Sequence, residues 1–180
     1  MKGKKERVFI WLPCKAYTKA WLVKNFSSPT EKWPDAISLS SDKETMAWIK
    51  NRLEKPCLRY DKNRMVKNSK YTEKVPIEIS MDTFYRCGWE LSATDIAALN
   101  ARFEQRIKVI LRSYMELYVS FGKNIAEGIR EFYKVTGFSE RSWPEESIRR
   151  YCFRHCNFQR NNSFINEEIN KIFMANMCHK

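Results

Sequence analysis

Residues 92–121 read SATDIAALNARFEQRIKVILRSYMELYVSF. Ile96, Leu99, Phe103, Ile107, Ile110, Tyr114, Leu117, Tyr118 and Phe121 recur at steps of three and four, the spacing of one helix face. No Gly or Pro interrupts the run. Ser92 or Thr94 suits an N-cap, and Gly122 follows the end. The spacing predicts one helix of roughly 40 Å with this stripe turned to a core. Trp89 and Leu91, just upstream, are expected to pack beneath it.

Downstream, 124–135 (NIAEGIREFYKV) is amphipathic, with Ile125, Ile129, Phe132 and Tyr133 inward and Gly137 as its stop. Ser142-Trp143-Pro144-Glu145 combines an N-cap residue, an early proline and an acidic third residue, which reads as a capping box. The helix behind it is expected to reach about Cys156 and to carry Ile148, Tyr151, Cys152 and His155 on one face. Residues 157–162 break it, and 164–174 form a last amphipathic helix. A scaffold helix followed by helix, turn of about six residues and helix is a helix-turn-helix-like order, with a longer turn than the usual one.

Upstream, RVFIWL at 7–12 predicts a short buried strand stopped by Pro13, and 16–26 a helix. Residues 37–39 predict a second short strand. Ser41 with Glu44 predicts a capping box for a helix that turns Met46, Ile49 and Leu53 inward. Residues 58–74 hold many charges with little apolar periodicity, as in a basic loop or weak hairpin. VPIEI at 75–79 alternates as a strand does, and Pro76 places it at an edge. Ser80 suits the cap of a short helix, 81–87, ended by Gly88. The fold class expected is α+β, mostly α. A small lobe with short strands, 1–80, is expected to pack on a helical bundle, 81–180, as two lobes of one compact domain.

Only 5 of the 180 residues are Gly, which weighs against a turn-rich all-β fold. The net charge is +12 and uneven: 1–30 and 50–74 each carry +6, and the remaining segments sum to about zero. A polyanionic partner is the usual reason for such an excess; a solvated basic surface is the plainer alternative. The apolar run at 8–12 is too short for a signal-peptide core, and no stretch approaches the ~20 apolar residues of a membrane span. A cytoplasmic protein with reduced thiols and no membrane association is therefore expected.

Two basic regions are the candidate nucleic-acid sites. On the outer face of the helix after Pro144 stand Arg149, Arg150 and Arg154, with Phe153 among them, where the second helix of a helix-turn-helix unit would meet a major groove. The plainer reading is that arginines late in a helix complement its dipole. In the loop, Arg59, Lys62, Arg64, Lys67 and Lys70 interleave with Tyr60 and Tyr71, so that cations would meet phosphates and rings would stack on bases. The alternative there is a solvated loop anchored by two tyrosines. DNA is the expected partner, with RNA as the variant; a protein-interaction adaptor is the competing class.

Chemistry has little to stand on. His155 and His179 are the only histidines, and no P-loop, dinucleotide or H-E-x-x-H motif is present. No catalytic residue, cofactor or enzyme activity is expected. Cys152, His155 and Cys156, with Cys178 and His179, are metal-ligand types, but no C-x-x-C knuckle organises them. Buried thiols and a packed histidine are the expected roles, and no metal is expected.

Two segments, VFIWLPCKAYTKAWLVKNF with ISLSSD, and FYRCGWELSATDIAALNARFEQRIK with IREFYKVTGFSERSWPEESIRRYCFRH, carry a resemblance. Phe84, Tyr85, Gly88, Asp95, Ile96, Asn100, Glu104, Phe132, Gly137, Phe138, Trp143, Ser147, Ile148 and Tyr151 bear it. Over well more than half its length the chain resembles a family of uncharacterised proteins of phage-like and conjugative mobile elements of gut bacteria. The resemblance implies a mobile-element setting, in which small basic proteins act as regulators or DNA-handling accessories; the adaptor class would take a host or element-encoded protein as its partner. It implies no catalytic residue. The Cys- and Asn-rich tail after Arg154 departs from the family pattern.

Overall fold

A computed structural model describes residues 7–55 and 70–158. Among them the chain runs β1 (Val8–Cys14), α1 (Ala16–Phe26), α2 (Lys43–Lys50), β2 (Glu73–Ile79), α3 (Met81–Cys87), α4 (Ala93–Ser120), α5 (Ile125–Thr136) and α6 (Glu145–His155). The fold is α+β and mostly helical, with one two-stranded antiparallel sheet near the N-terminus. Two compact units, Met1–Gln105 and Arg106–Lys180, divide inside α4.

In the first unit the strand runs through Pro13 instead of stopping before it. Pro13 pairs with Lys74, Trp11 with Pro76 and Phe9 with Glu78. These three pairs share one parity of the ladder, the one whose backbone polar groups point away from the partner strand. The Pro76 carbonyl accepts from Ile37 N (2.9 Å), and Glu78 N donates to the Ile37 carbonyl (2.8 Å). The Pro13 carbonyl accepts from Asn100 Nδ2 at 2.8 Å. Both prolines therefore lack an N–H only where the ladder needs none. Ile37 bridges Ser27 on one side and Ile77 on the other, so the strand expected at 37–39 reduces to a single residue.

Ile10, Leu12, Cys14, Leu22, Ile37, Leu39, Ile49, Val75, Ile77, Leu99 and Phe103 are buried in this unit. The cap of α2 is Asp42, one residue after the expected Ser41; its Oδ1 accepts from Thr45 N at 3.1 Å. Ile49 and Leu53 are buried as expected, while Met46 is only half-buried beside buried Thr45. β2 begins at Glu73, inside the segment expected as loop; residues 58–69 of that segment lie outside the described residues. Ser80 caps α3 by accepting from Thr83 N, and Gly88 ends it at φ 108°. A side chain at Gly88 would run into the Glu54 backbone, whose carbonyl accepts from Trp89 N and Glu90 N. Trp89, expected beneath α4, is instead partly exposed and stacks on Phe84 with centroids 4.8 Å apart.

α4 starts as read: Ser92 Oγ accepts from Asp95 N at 3.1 Å. Its buried line departs from the expected stripe. Leu99, Phe103, Ile107, Leu111 and Met115 are buried, whereas Ile110, Leu117 and Phe121 are exposed. Each four-residue step advances about 40° around a helix of 3.6 residues per turn. Four such steps wind the buried line about 160° around the axis. A stripe of alternating threes and fours would stay on one side, as Ile110, Leu117 and Phe121 do.

In the second unit, Asn124 caps α5 through Ala126 N (2.9 Å), and Gly137 closes it in the left-handed region at φ 73°. Ile129 and Phe132 face inward, with Leu111, Met115, Phe138, Trp143, Ile148 and Cys152 also buried. Rings chain from Tyr114 to Phe132, Phe138 and Trp143 at centroid spacings of 5.4, 5.7 and 5.9 Å. The last amphipathic helix expected at 164–174 lies outside the described residues.

Candidate nucleic-acid interface

α5 and α6 are joined by residues 137–144, eight in all. Ser142, expected to cap α6, instead closes this turn: its Oγ accepts from Ser139 N (2.9 Å) and donates to the Ser139 carbonyl (2.9 Å). Pro144 holds the cap position with no side-chain bond of its own. Glu140 Oε2 reaches over and accepts from Glu145 N at 2.9 Å. The Tyr133 hydroxyl donates to the Trp143 carbonyl at 2.6 Å, with Glu140 Oε2 3.1 Å away. Partial burial, then the Glu140 carboxylate, push that phenol well above its ordinary range. The turn is thus built by Glu140, Tyr133 and the two serines, a set that no cap motif reveals.

α6 buries Ile148 and Cys152. His155, expected on the same inward face, is exposed and lies against Tyr151 with ring centroids 4.5 Å apart. The three candidate arginines part company. Arg149 Nη2 meets Glu145 Oε1 at 2.8 Å, and Arg150 Nε meets Glu146 Oε1 at 2.9 Å. Arg154 is exposed and has no acidic partner among the described residues, and Phe153 beside it is 66% exposed. Helix-turn-helix units place the N-terminal residues of the second helix against base edges. Here that end presents Glu145 and Glu146, which phosphates repel, so the cationic part of α6 is its last turn.

The ionic balance of residues 106–158 tilts the same way. Their six carboxylates are Glu116, Glu127, Glu131, Glu140, Glu145 and Glu146. Glu131 pairs with Lys134, Glu145 with Arg149, Glu146 with Arg150, and Glu140 is taken up in the turn. Glu116 Oε1 accepts from Asn157 N (3.0 Å) and Arg112 Nε (2.9 Å). Those two contacts, the backbone bond first, hold its carboxyl below the usual carboxylate range against partial burial. Of the six, only Glu127 has no partner among the described residues. Lys108, Lys123, Arg130, Arg141 and Arg154 have no acidic partner among the described residues.

Of the basic loop, Arg59, Lys62, Arg64 and Lys67 lie outside the described residues; Lys70 is exposed just before β2. The first unit adds a feature that the motif reading passed over. Trp11 is 43% exposed on the open face of the sheet and meets Trp33 edge-on at 4.7 Å. Lys32 Nζ lies 5.5 Å from the Trp33 ring centre, and exposed Lys74 pairs with Pro13 two residues along β1. The signal was in the alternation of VFIWLPC: with Ile10 and Leu12 inward, Trp11 falls on the opposite face.

Among the described residues no three His, Cys, Asp or Glu side chains gather as a metal set, and no helix is long and apolar enough to cross a membrane. No protein-family model, curated protein or solved structure matches this chain.

Proposed function

We propose that this chain binds nucleic acid, DNA in the first instance, as an accessory or regulatory protein in the mobile-element setting that its resemblance implies. The observation that carries this reading is the ionic balance of 106–158: five of the six carboxylates are engaged within the fold, and Lys108, Lys123, Arg130, Arg141 and Arg154 have no acidic partner among the described residues. Arg154 with Phe153, and the strongly basic segment 50–74, are the contact regions. Arg150 joins them only by exchanging Glu146 for a phosphate.

Fluorescence anisotropy with labelled duplex and single strand, titrated with salt, tests the reading. Neutralising Lys62, Arg64 and Lys67 together is expected to weaken binding to all sequences alike. The log–log salt slope should flatten by about 0.9 for each phosphate that is no longer neutralised. Arg154→Ala is expected to weaken binding, and Glu146→Gln to strengthen it by releasing Arg150. No measurable affinity for either strand form at about 50 mM salt, where phosphate contacts are strongest, overturns the proposal.

A second reading has its own observation. Ile110 and Leu117 on α4 and Phe121 just past its end form an exposed apolar line, with Phe121 71% exposed. Such a line fits a protein-interaction adaptor, and a pull-down that depends on Leu117 and Phe121 but not on Arg154 would favour it.

A further inference from the structure

The last turn of α6 holds two cysteines that neither the core nor the nucleic-acid reading uses together. Cys152 is fully buried, and Cys156 is half-buried at the helix end. Cys156 N donates to the Cys152 carbonyl at 2.9 Å, closing the turn, and the backbone of Cys156 then leaves the helix in an extended conformation (φ −92°, ψ 138°). One turn of helix sets the two Cα atoms about 6.2 Å apart, inside the roughly 4.4–6.8 Å span of disulfides. The Cβ atoms, roughly 5–6 Å apart at this spacing, must approach to about 3.5–4.5 Å for a bond. That adjustment falls on the final turn, which already unwinds at Cys156.

The pair is chemically unequal. Interaction between the two thiols favours the Cys156 thiolate and suppresses that of Cys152. Arg112 also favours the thiolate at Cys156, while burial and Glu116 oppose it; the balance holds Cys156 below the ordinary thiol range. Access follows the same order, since solvent reaches Cys156 and not Cys152. A partly exposed thiolate beside a second thiol is the arrangement of an oxidisable pair.

We propose that Cys156 is a site of reversible oxidation by hydroperoxides, with Cys152 as the resolving thiol and a Cys152–Cys156 disulfide as the product. The Cys156 thiolate attacks the distal peroxide oxygen. The O–O bond breaks, a sulfenic acid forms, and the alkoxide or hydroxide leaves with a proton from water. The Cys152 sulfur then attacks the sulfenic sulfur; the S–S bond forms, the S–O bond breaks, and the hydroxyl departs as water with the Cys152 proton. Two thiols give up two electrons and one peroxide takes them. A dithiol reductant reverses the change.

The full-length reduced protein, treated with limiting hydrogen peroxide, alkylated and cleaved with trypsin, tests this directly. Cleavage at Arg150 and Arg154 places the two cysteines on separate peptides, 151–154 and 155–160, so the disulfide appears as a cross-link between them. Cys156 is expected to react on the order of tenfold faster than Cys87, a half-buried thiol without such a partner. In Cys152→Ser a dimedone adduct is expected on Cys156; in Cys156→Ser, Cys152 is expected to stay reduced. The proposal falls if Cys156 reacts no faster than Cys87, if it pairs with a cysteine other than Cys152, or if it accumulates as sulfinic acid without a cross-link. The wild-type cross-link decides the matter even where a serine variant fails to fold.

Discussion

The two units hold themselves together in different ways. In the first, the ion pairs of the described residues, all but the local Asp82–Arg86, join residues far apart in sequence, among them Lys15 with Glu104 at 2.9 Å, Lys19 with Glu73 at 3.3 Å, Arg52 with Asp95 at 3.0 Å, and Arg102 with Glu44. Trp48 lies between two of these cations, with Arg52 and Arg102 guanidinium carbons 5.4 and 5.7 Å from its ring centre. Polar groups are buried too: Asp95 and Asn100 on α4, and Thr18, Thr45 and Thr83 elsewhere. In the second unit the pairs are local, Arg112–Glu116, Lys134–Glu131, Arg149–Glu145 and Arg150–Glu146, each three or four residues apart. Its core is a run of packed rings. Local pairs support a helix that would form its turns in any case. Distant pairs add to the tertiary arrangement of the sheet and helices that bring their ends together. Ion pairs therefore tie distant segments of the first unit together and support single helices in the second, and both units keep cations without an acidic partner among the described residues, Lys50 and Lys74 in the first and Arg130 and Arg154 in the second.

This contrast can be broken or sharpened by measurement. The largest effects belong to the two cores. Phe103→Ala and Phe132→Ala are each expected to cost about 3–5 kcal/mol in denaturant unfolding. Hydrogen exchange should show weakened protection in β1 and β2 for the first and in α5 and α6 for the second. A cost below about 1 kcal/mol at either position would mean that the ring does not fill a core. Next comes the buried amide. Asn100 Nδ2 donates to the Pro13 and Ile96 carbonyls at 2.8 and 2.9 Å. Asn100→Ala is expected to cost about 1–3 kcal/mol, because the part-buried Pro13 carbonyl is left without its donor; a neutral result would show that water replaces the amide. The smallest effects compare pairs of the two kinds. A double-mutant cycle on Lys15 and Glu104 is expected near the upper end of about 0.2–1 kcal/mol, and one on Arg150 and Glu146 at about 0.2–0.5 kcal/mol. Equal couplings would erase the distinction between the units.

Much of the local structure was legible in the chain. α1, α3, α5 and the extent of α4 followed from helical spacing and from Ser80, Ser92, Gly88 and Gly137 at their ends. The misreadings share a cause. Ser41 and Ser142 both had the residue type of a cap, but Asp42 took the first position and Glu140 the second, since several nearby side chains competed for the same N–H groups. Pro13 resembled a strand stop because proline removes a donor; which side of the ladder that donor would have faced depends on the partner strand. The candidate interface was the least legible part. Arg149, Arg150 and Arg154 look alike as a basic face, and only the rotamers of Glu145 and Glu146 separate Arg154 from the other two.

What the sequence by itself determined was where most of the helices lie, which class of fold they make, and that the chain carries a large and uneven positive charge. Those properties reside in short windows of residues, where backbone preference, capping and periodicity act over three or four positions. What only the tertiary structure decided was which side of α4 is buried at each point along it, and which cations remain after the carboxylates have chosen partners. Burial depends on what a residue meets from elsewhere in the chain, and an ion pair such as Lys15 with Glu104 depends on two segments 89 positions apart arriving at the same place.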